Sequence, residues 1–493
     1  MKNLFTNSAR HALLPLFAAL VLAGCATVPA SSVTPAGAPP ASFKEAGERW
    51  TIAKPAESQP RGEWWRAFGD PVLDDLASRA GAANAGIQQA ASRVAQARAL
   101  VRTVDADRSV QIGVGAGAVR QAGANTAGGA KPQTLTTAGA SLSWEPDLFG
   151  RLAKAGDAAR LDATAREALL QSTRLMVQTE VAQTYLAVRA ADTERALVRQ
   201  TVAAYEGSLQ LTERRYKAGD VAELDVARVR TELASTEAEA IALDRRRAEL
   251  EHALAVLVGE PASAFSLPVV EWTTALPGIP AGLPSTVLTR RPDVSAAQSG
   301  ILAAQARLGV AQAAWFPDIS LTASGGYASP EIGDLFKWSA RAWSVGALLS
   351  LPLFDGGRRQ SGVDVAAAQL DEALAGYRGQ VLGAFRDVED QLSSLRLLRE
   401  QSDAQSRAVD AATRATVLSD SRYRNGFVSQ LELLDARRSE LRNRRQALQV
   451  KAAQYYATVG LIRALGGGWD AAASAGPNAS GVTHLAAVAG SAK

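Results

Sequence analysis

The sequence predicts a mixed α and β membrane protein: an internal two-fold repeat supplies four strands per chain, closing with other copies into a barrel, and very long coiled-coil helices. The first observation is the repeat, the feature to seek before any other. The stretch from Leu211 to Leu224 aligns with that from Leu418 to Leu431, placing Tyr216 on Tyr423, Gly219 on Gly426 and Val221 on Val428. Upstream, Ala95 to Arg98 aligns with Ala304 to Arg307, and Leu148–Phe149 with Leu353–Phe354. The second observation is strand-like alternation at matching places in both copies. The third is a run without proline from Arg151 to Tyr216, repeated from Arg359 to Arg424.

The elements follow in order. Asp70 before Pro71 is an N-cap followed by proline at the first helical position, and predicts a helix from Leu73 to Val104. Val110, Ile112, Val114, Ala116 and Ala118 then alternate with Gln and Gly, the period of a strand. The chain returns through Leu135 to Trp144. In the second copy Ile319, Leu321, Ala323 and Tyr327 alternate with small polar residues, and Trp343, Val345, Ala347 and Leu349 do the same. Strands are expected at about 109–120, 134–145, 317–328 and 341–352. Each is long enough to cross a bilayer when tilted. Trp144, Trp338 and Trp343 sit at strand ends, where interfacial aromatics are favoured. Four strands cannot close, and an open edge cannot persist in hydrocarbon. Three copies give about twelve strands, within the range of membrane barrels.

Glycines at Gly150, Gly356 and Gly357 permit a sharp change from strand to helix. Helices 151–217 and 359–424 would each be about 100 Å long. Leu161, Ala165, Ala168, Ser172, Leu175, Thr179, Ala182 and Leu186 form a heptad seam, and a second seam passes through Val177, Val181 and Val188. Two seams mean a neighbour on each side. Shorter helices return over 221–258 and 428–465. Gly219 and Gly426 supply the positive-φ residue of each tight helical turn.

Outside the repeats, Lys2 and Arg10 lead into an apolar stretch from Leu13 to Leu22, then Leu22–Ala23–Gly24–Cys25. This is a secretory signal, and its end resembles the bacterial lipoprotein box. The resemblance implies cleavage before Cys25 and lipid on its sulfur and new amino group. The domain plan is therefore 1–24 signal peptide, 25–62 lipidated N-terminus and linker, 63–258 first repeat, 259–284 linker, 285–465 second repeat, and 466–493 tail.

Composition excludes several functions. The net charge of +4, from 53 basic and 49 acidic residues, lacks the basic stripe of a nucleic-acid binder. Three histidines and one cysteine make no metal-ligand cluster. Neither Gly-rich joint fits GxGxxG or a P-loop, and no Ser–His–Asp arrangement is evident. The chain reads as a non-enzyme with no cofactor beyond the covalent lipid.

Trp64–Trp65–x–x–Phe68–x–Asp70–Pro71, Leu283–Pro284–Ser285, Arg290–Arg291–Pro292–Asp293, Phe316–Pro317–x–Ile319 and Leu465–Gly–Gly–Gly–Trp469 together resemble the outer-membrane factor (TolC-like) family. Within it they resemble the NodT-type lipoproteins that serve resistance-nodulation-division (RND) efflux. Ala106–Asp–Arg–Ser109 departs from the pattern, lacking the proline found at Pro317. The resemblance implies a homotrimeric channel of a Gram-negative bacterium, an outer-membrane barrel continuous with a periplasmic helical barrel. It also implies a periplasmic membrane-fusion adaptor and an inner-membrane RND transporter as partners, with small toxic molecules as cargo.

By the same resemblance Glu432 and Asp435 face the lumen near the periplasmic mouth, with Tyr423 nearby and Asp225 and Arg228 pairing with them. The tips Gly219–Asp220–Val221 and Gly426–Phe427–Val428 meet the adaptor. Arg290 to Asp293 reads as a structural ion-pair segment. A type I protein-secretion conduit is the alternative within the fold, and an envelope-tethering coiled-coil lipoprotein the alternative outside it.

Overall fold

The computed structural model describes residues 43–46, 62–122, 132–279 and 290–467. Cys25, the signal segment, Leu283–Pro284–Ser285 and Trp469 lie outside the described residues. The longer elements are α1 Pro71–Ala83, α2 Ala85–Ala106, β1 Gln111–Gln121, β2 Gln133–Trp144, α3 Arg151–Lys217, α4 Glu223–Leu257, α5 Pro292–Ala313, β3 Asp318–Ser329, β4 Arg341–Ser350, α6 Arg358–Arg424 and α7 Gln430–Ala464. Among the described residues no helix is long and apolar enough to cross a membrane. The chain divides into two compact units, and each draws on both sequence repeats.

The first unit takes its described residues from 90–170 and 293–380. Its sheet is antiparallel throughout, in the order β1-β2-β3-β4. Each repeat supplies a hairpin, and β2 with β3 joins the two. The joints to the long helices are built from side chains as well as glycines. Gly150, Gly356 and Gly357 have φ of 76°, 65° and 90°. Asp147 accepts from the backbone of Leu152 at 3.2 Å and Ala153 at 2.7 Å. Asp355 accepts from the backbone of Gly357 at 3.1 Å and Arg359 at 3.2 Å. These carboxylates satisfy the orphan N–H groups of a helix start and favour its positive dipole end. Phe149 stacks on Phe316 with ring centroids 4.9 Å apart. Below the sheet Ile301, Ala304 and Leu370 form a small core with Leu308 and Tyr377 packed on it.

The second unit takes its described residues from 43–89, 171–292 and 381–467. One helix was expected from Leu73 to Val104; the chain instead breaks at Asn84 between α1 and α2. Asn84 has extended ψ, its Oδ1 accepts from Gly86 and Ile87, and its Nδ2 donates to the carbonyl of Leu257 at 2.8 Å. The side chain thus competes with the helical backbone, the general reason Asn interrupts helices.

The Trp–Trp–x–x–Phe–x–Asp–Pro motif has a physical basis in this unit. Trp64 and Phe68 are buried, Trp64 edge-on to both Trp65 and Phe68. Asp70 caps α1 through the N–H groups of Val72 and Leu73, and also accepts from Tyr185 Oη at 2.7 Å and Thr274 Oγ1 at 2.8 Å. The linker after α4 continues this network. Arg189 donates to the carbonyl of Pro268, Arg247 to that of Leu267, and Tyr455 to that of Thr274. Asp192, buried among Arg189, Arg195 and Arg247, is tied to all three. Burial pushes the Tyr185 hydroxyl pKa up, so it stays a neutral donor to Asp70. Arg291 reaches Asp387 at 3.2 Å and the carbonyl of Ala464.

Candidate functional site

Two regions bear on function, one in each unit. In the first, strand pleating sorts the sheet into two faces. The register aligns Ile112 with Leu142, Leu142 with Ala323, and Ala323 with Val345. On that face lie Ile112, Val114, Ala116, Leu142, Ile319, Leu321, Trp343, Val345 and Leu349. Val114 is 88% exposed and Trp343 79% exposed in a single chain. The opposite face carries Gly113, Gly115, Gly117, Ser141, Ser143, Ser320, Thr322, Ser324 and Ser344, with the Ser324 and Ser344 hydroxyls 2.9 Å apart. Val119, Leu135 and Leu348 depart from this, as apolar residues on the polar face. An apolar wall backed by a small polar lining is the pattern of a strand set with lipid on one side and water on the other. The outer edges of β1 and β4 have no partner among the described residues.

In the second unit the long helices end in matching turns. Gly219 has φ 81°, its N–H bonds the carbonyl of Tyr216, and the N–H of Asp220 bonds that of Arg215. Gly426 has φ 78°, with Gly426 bonded to Tyr423 and Phe427 to Arg422 in the same way. Both are Schellman closures, which need a left-handed residue at that position. Asp220 is exposed and Phe427 is 74% exposed, while Val221 and Val428 are half-buried. The next helix starts differently in the two copies. Ser429 Oγ accepts from the backbone of Glu432, whereas Ala222 offers no cap to α4.

The acids expected at the mouth fall on the first turns of α7. Glu432 is exposed, and the side chain of Asp435 is 77% exposed with Arg438 at 3.8 Å. Tyr423, Asp225 and Arg228 each find a partner within the single chain. Tyr423 is 3% exposed and lies under the Arg215 guanidinium, 5.2 Å from ring centroid to Cζ, so within the chain it packs between the tips and lines no open space. Asp225 and Arg228 were expected to pair with the second-repeat acids. They pair with each other at 3.8 Å, because residues three apart on one helix are neighbours.

Sequence reading missed a ladder of arginines on α7. Arg438 Nε donates to Glu232 at 2.9 Å, and this holds the Glu232 carboxyl below its ordinary pKa. Arg445 Nε donates to Glu194 at 2.7 Å and its Nη1 reaches Glu239; Arg437 bonds the carbonyl of Ala204 at 3.0 Å, Asp420 at 3.0 Å and Ser208. Together they pin the second-repeat hairpin to the first beside the core of Tyr205, Val229 and Leu434. A signal for them existed. Arg438 and Glu232 are 206 residues apart, as are Arg445 and Glu239, one short of the offset between Gly219 and Gly426. Their partners therefore lie beside the repeat-equivalent positions.

A sheet apolar on one face and polar on the other, with open edges, together with paired helical hairpins that bury their seams, defines a subunit of a membrane channel. The chain belongs to the outer membrane efflux protein family, whose profile matches residues 76–260 and 283–467. It is 30% identical over 467 residues to the cation efflux system protein CusC of Escherichia coli, covering 93% of this chain and 99% of that one. It is 34% identical over 413 residues to the outer membrane protein OprJ of Pseudomonas aeruginosa, covering 82% and 86%. The solved outer-membrane channel OprN superposes with a TM-score of 0.81 at 31% identity, covering 90% of this chain and 99% of that one. The fold class is that of the trimeric outer-membrane channels, and the chain is an outer-membrane efflux channel that extends into the periplasm.

Proposed function

We propose that this chain is the outer-membrane duct of a tripartite pump of the resistance-nodulation-division type, open to small toxic molecules and working without a cofactor or resident metal. It is a conduit and not an enzyme. The observation that supports this most is the four-stranded sheet whose two outer edges have no partner among the described residues. Such edges are not tolerated in hydrocarbon. Three identical chains pair each β4 with the next β1, antiparallel as the meander requires, and close at about twelve strands. The lipid on Cys25 fixes the chain to the same membrane; two or more acyl chains anchor stably where one does not.

In the trimer Glu432 and Asp435 become rings of three carboxylates around the periplasmic mouth, a cation-attracting constriction. Asp225 and Arg228 add a self-paired charge at the first-repeat tip. Removing both acids in Glu432→Ala/Asp435→Ala is expected to raise single-channel conductance in planar bilayers several-fold and to weaken cation preference. Wild-type protein and variant with the same conductance and selectivity would mean the mouth lies elsewhere.

The tips Gly219–Asp220–Val221 and Gly426–Phe427–Val428 are the surfaces offered to the periplasmic adaptor, with the inner-membrane transporter beyond it. Gly426→Pro demands φ near −65° where the chain holds 78° and deletes the N–H bonded to Tyr423. We expect loss of adaptor crosslinking at Phe427 with trimer assembly retained. Undiminished crosslinking would rule out this tip as the contact.

A further inference from the structure

Two arginines stand at the loop end of the apolar face. Arg120 shares its face with Ile112, Val114 and Ala118, and Arg341 shares its face with Trp343, Val345 and Leu349. Neither has an ion pair among the described residues. The Arg341 guanidinium lies 3.7 Å over the Trp338 ring. Of the acids on that loop, Asp334 is held by Lys337 at 2.6 Å, and neither Asp334 nor Glu331 pairs with either arginine among the described residues.

The register places these arginines relative to one another in a closed barrel. Arg341 pairs with Tyr327, Tyr327 with Ala138, and Ala138 with Ala116. Beyond that level β1 continues to Gln121 at the loop end. At the opposite end β1 starts level with Gly346, and β4 continues to Ser350. A sheet staggered in this sense joins an identical sheet only if the stagger is taken up at the seam, as barrel closure requires. The loop end of β4 then lies against the loop end of the next copy's β1. On the lipid-facing side this sets Arg341 beside Arg120. Like charges opposed across strands destabilise a sheet, so each seam calls for an anion.

We propose that each seam between copies binds the phosphate of an outer-leaflet glycolipid headgroup through Arg120 of one chain and Arg341 of the next. This rests on the trimeric closure argued above. Guanidinium groups bind phosphate through paired charge-assisted hydrogen bonds. Trp338 backs the Arg341 plane and fixes its orientation. A glycolipid fits better than a free phosphate because the arginines cap a continuous apolar band, against which acyl chains bury area and a lone anion gains nothing.

The test uses the full-length protein in phosphatidylcholine vesicles containing bis-phosphorylated lipid A, re-extracted and weighed for retained lipid. The expected retention is about tenfold above that of Arg120→Gln/Arg341→Gln, with Arg120→Lys/Arg341→Lys between the two. Equal retention by wild type and the glutamine variant overturns the proposal. Equal retention of phosphatidylglycerol, or release of lipid A by inorganic phosphate alone, overturns the glycolipid assignment in favour of a general anion site. Arg120→Cys/Arg341→Cys chains treated with a short bismaleimide report the seam, with chains carrying only Cys25 as control. Crosslinks between copies alongside unchanged lipid retention remove this proposal and leave the trimer standing. A wild-type sample that is wholly monomeric removes the closure itself.

Discussion

Asp70→Ala is expected to destabilise the chain by about 4 kcal/mol. The carboxylate does two jobs at once. It caps α1 through Val72 and Leu73, a role worth about 1 kcal/mol. It also accepts from the hydroxyls of Tyr185 and Thr274, and hydrogen bonds to a charged acceptor contribute roughly 1.5–3 kcal/mol each. The sum is reduced because the bonds share one residue and are not additive. Alanine would leave the Tyr185 proton with no acceptor in a buried place. Thr274 belongs to the linker between the repeats, so the loss spreads to the Leu267–Ala275 segment and to Tyr455. Asp70→Asn keeps a good cap and one acceptor oxygen, and should lose about half as much. Thermal unfolding followed by helical circular dichroism checks this. If the alanine and asparagine variants melted together, Asp70 would be no more than a helix cap.

The same residue shows what the sequence made legible. That Asp70 caps a helix follows from its place before Pro71, a local matter of one turn. That it gathers Tyr185 and Thr274 does not follow, since those partners lie 115 and 204 residues away. Strands and long helices were readable for a similar reason: alternation and the absence of proline are local, and the repeat states them twice. Periodicity says which face of α7 is buried but not what it meets. The arginines at 437, 438 and 445 therefore carried no expectation from the sequence, since their partners lie on the other repeat. Asn84 was overlooked because the alanine-rich stretch around it favours helix on either side, and the break depends on the carbonyl of Leu257, far along the chain.

Gly326→Ala should remove most folded protein from the outer membrane, while Gly325→Ala, one residue away, should not. A Cβ at Gly326 would fall on the carbonyl oxygen of Ala138 and the Cα of Gly139. Its register partner is constrained in the same way, since a Cβ at Gly139 would lie 2.7 Å from the carbonyl oxygen of Gly325 and 3.1 Å from the Cα of Gly326. These are backbone atoms of a hydrogen-bonded ladder, so no side chain can swing aside and the strands themselves must part. Glycine within a strand marks such close approach of two backbones. Gly325, on the lipid-facing side, has nothing within 4 Å of a built Cβ, and neither has Gly115. Forced overpacking of this kind costs about 1–3 kcal/mol or more per chain, and three copies carry it together. It also falls on the β2–β3 pairing, the one place where the hairpins of the two repeats join into a single sheet. Parting there in every copy would cut the closed barrel into pieces joined only across the seams between copies and would open new edges in the bilayer. The measurement is the amount of heat-resistant trimer recovered from outer-membrane fractions. Equal recovery of Gly326→Ala and Gly325→Ala would show that the two repeats are held together by something other than this contact.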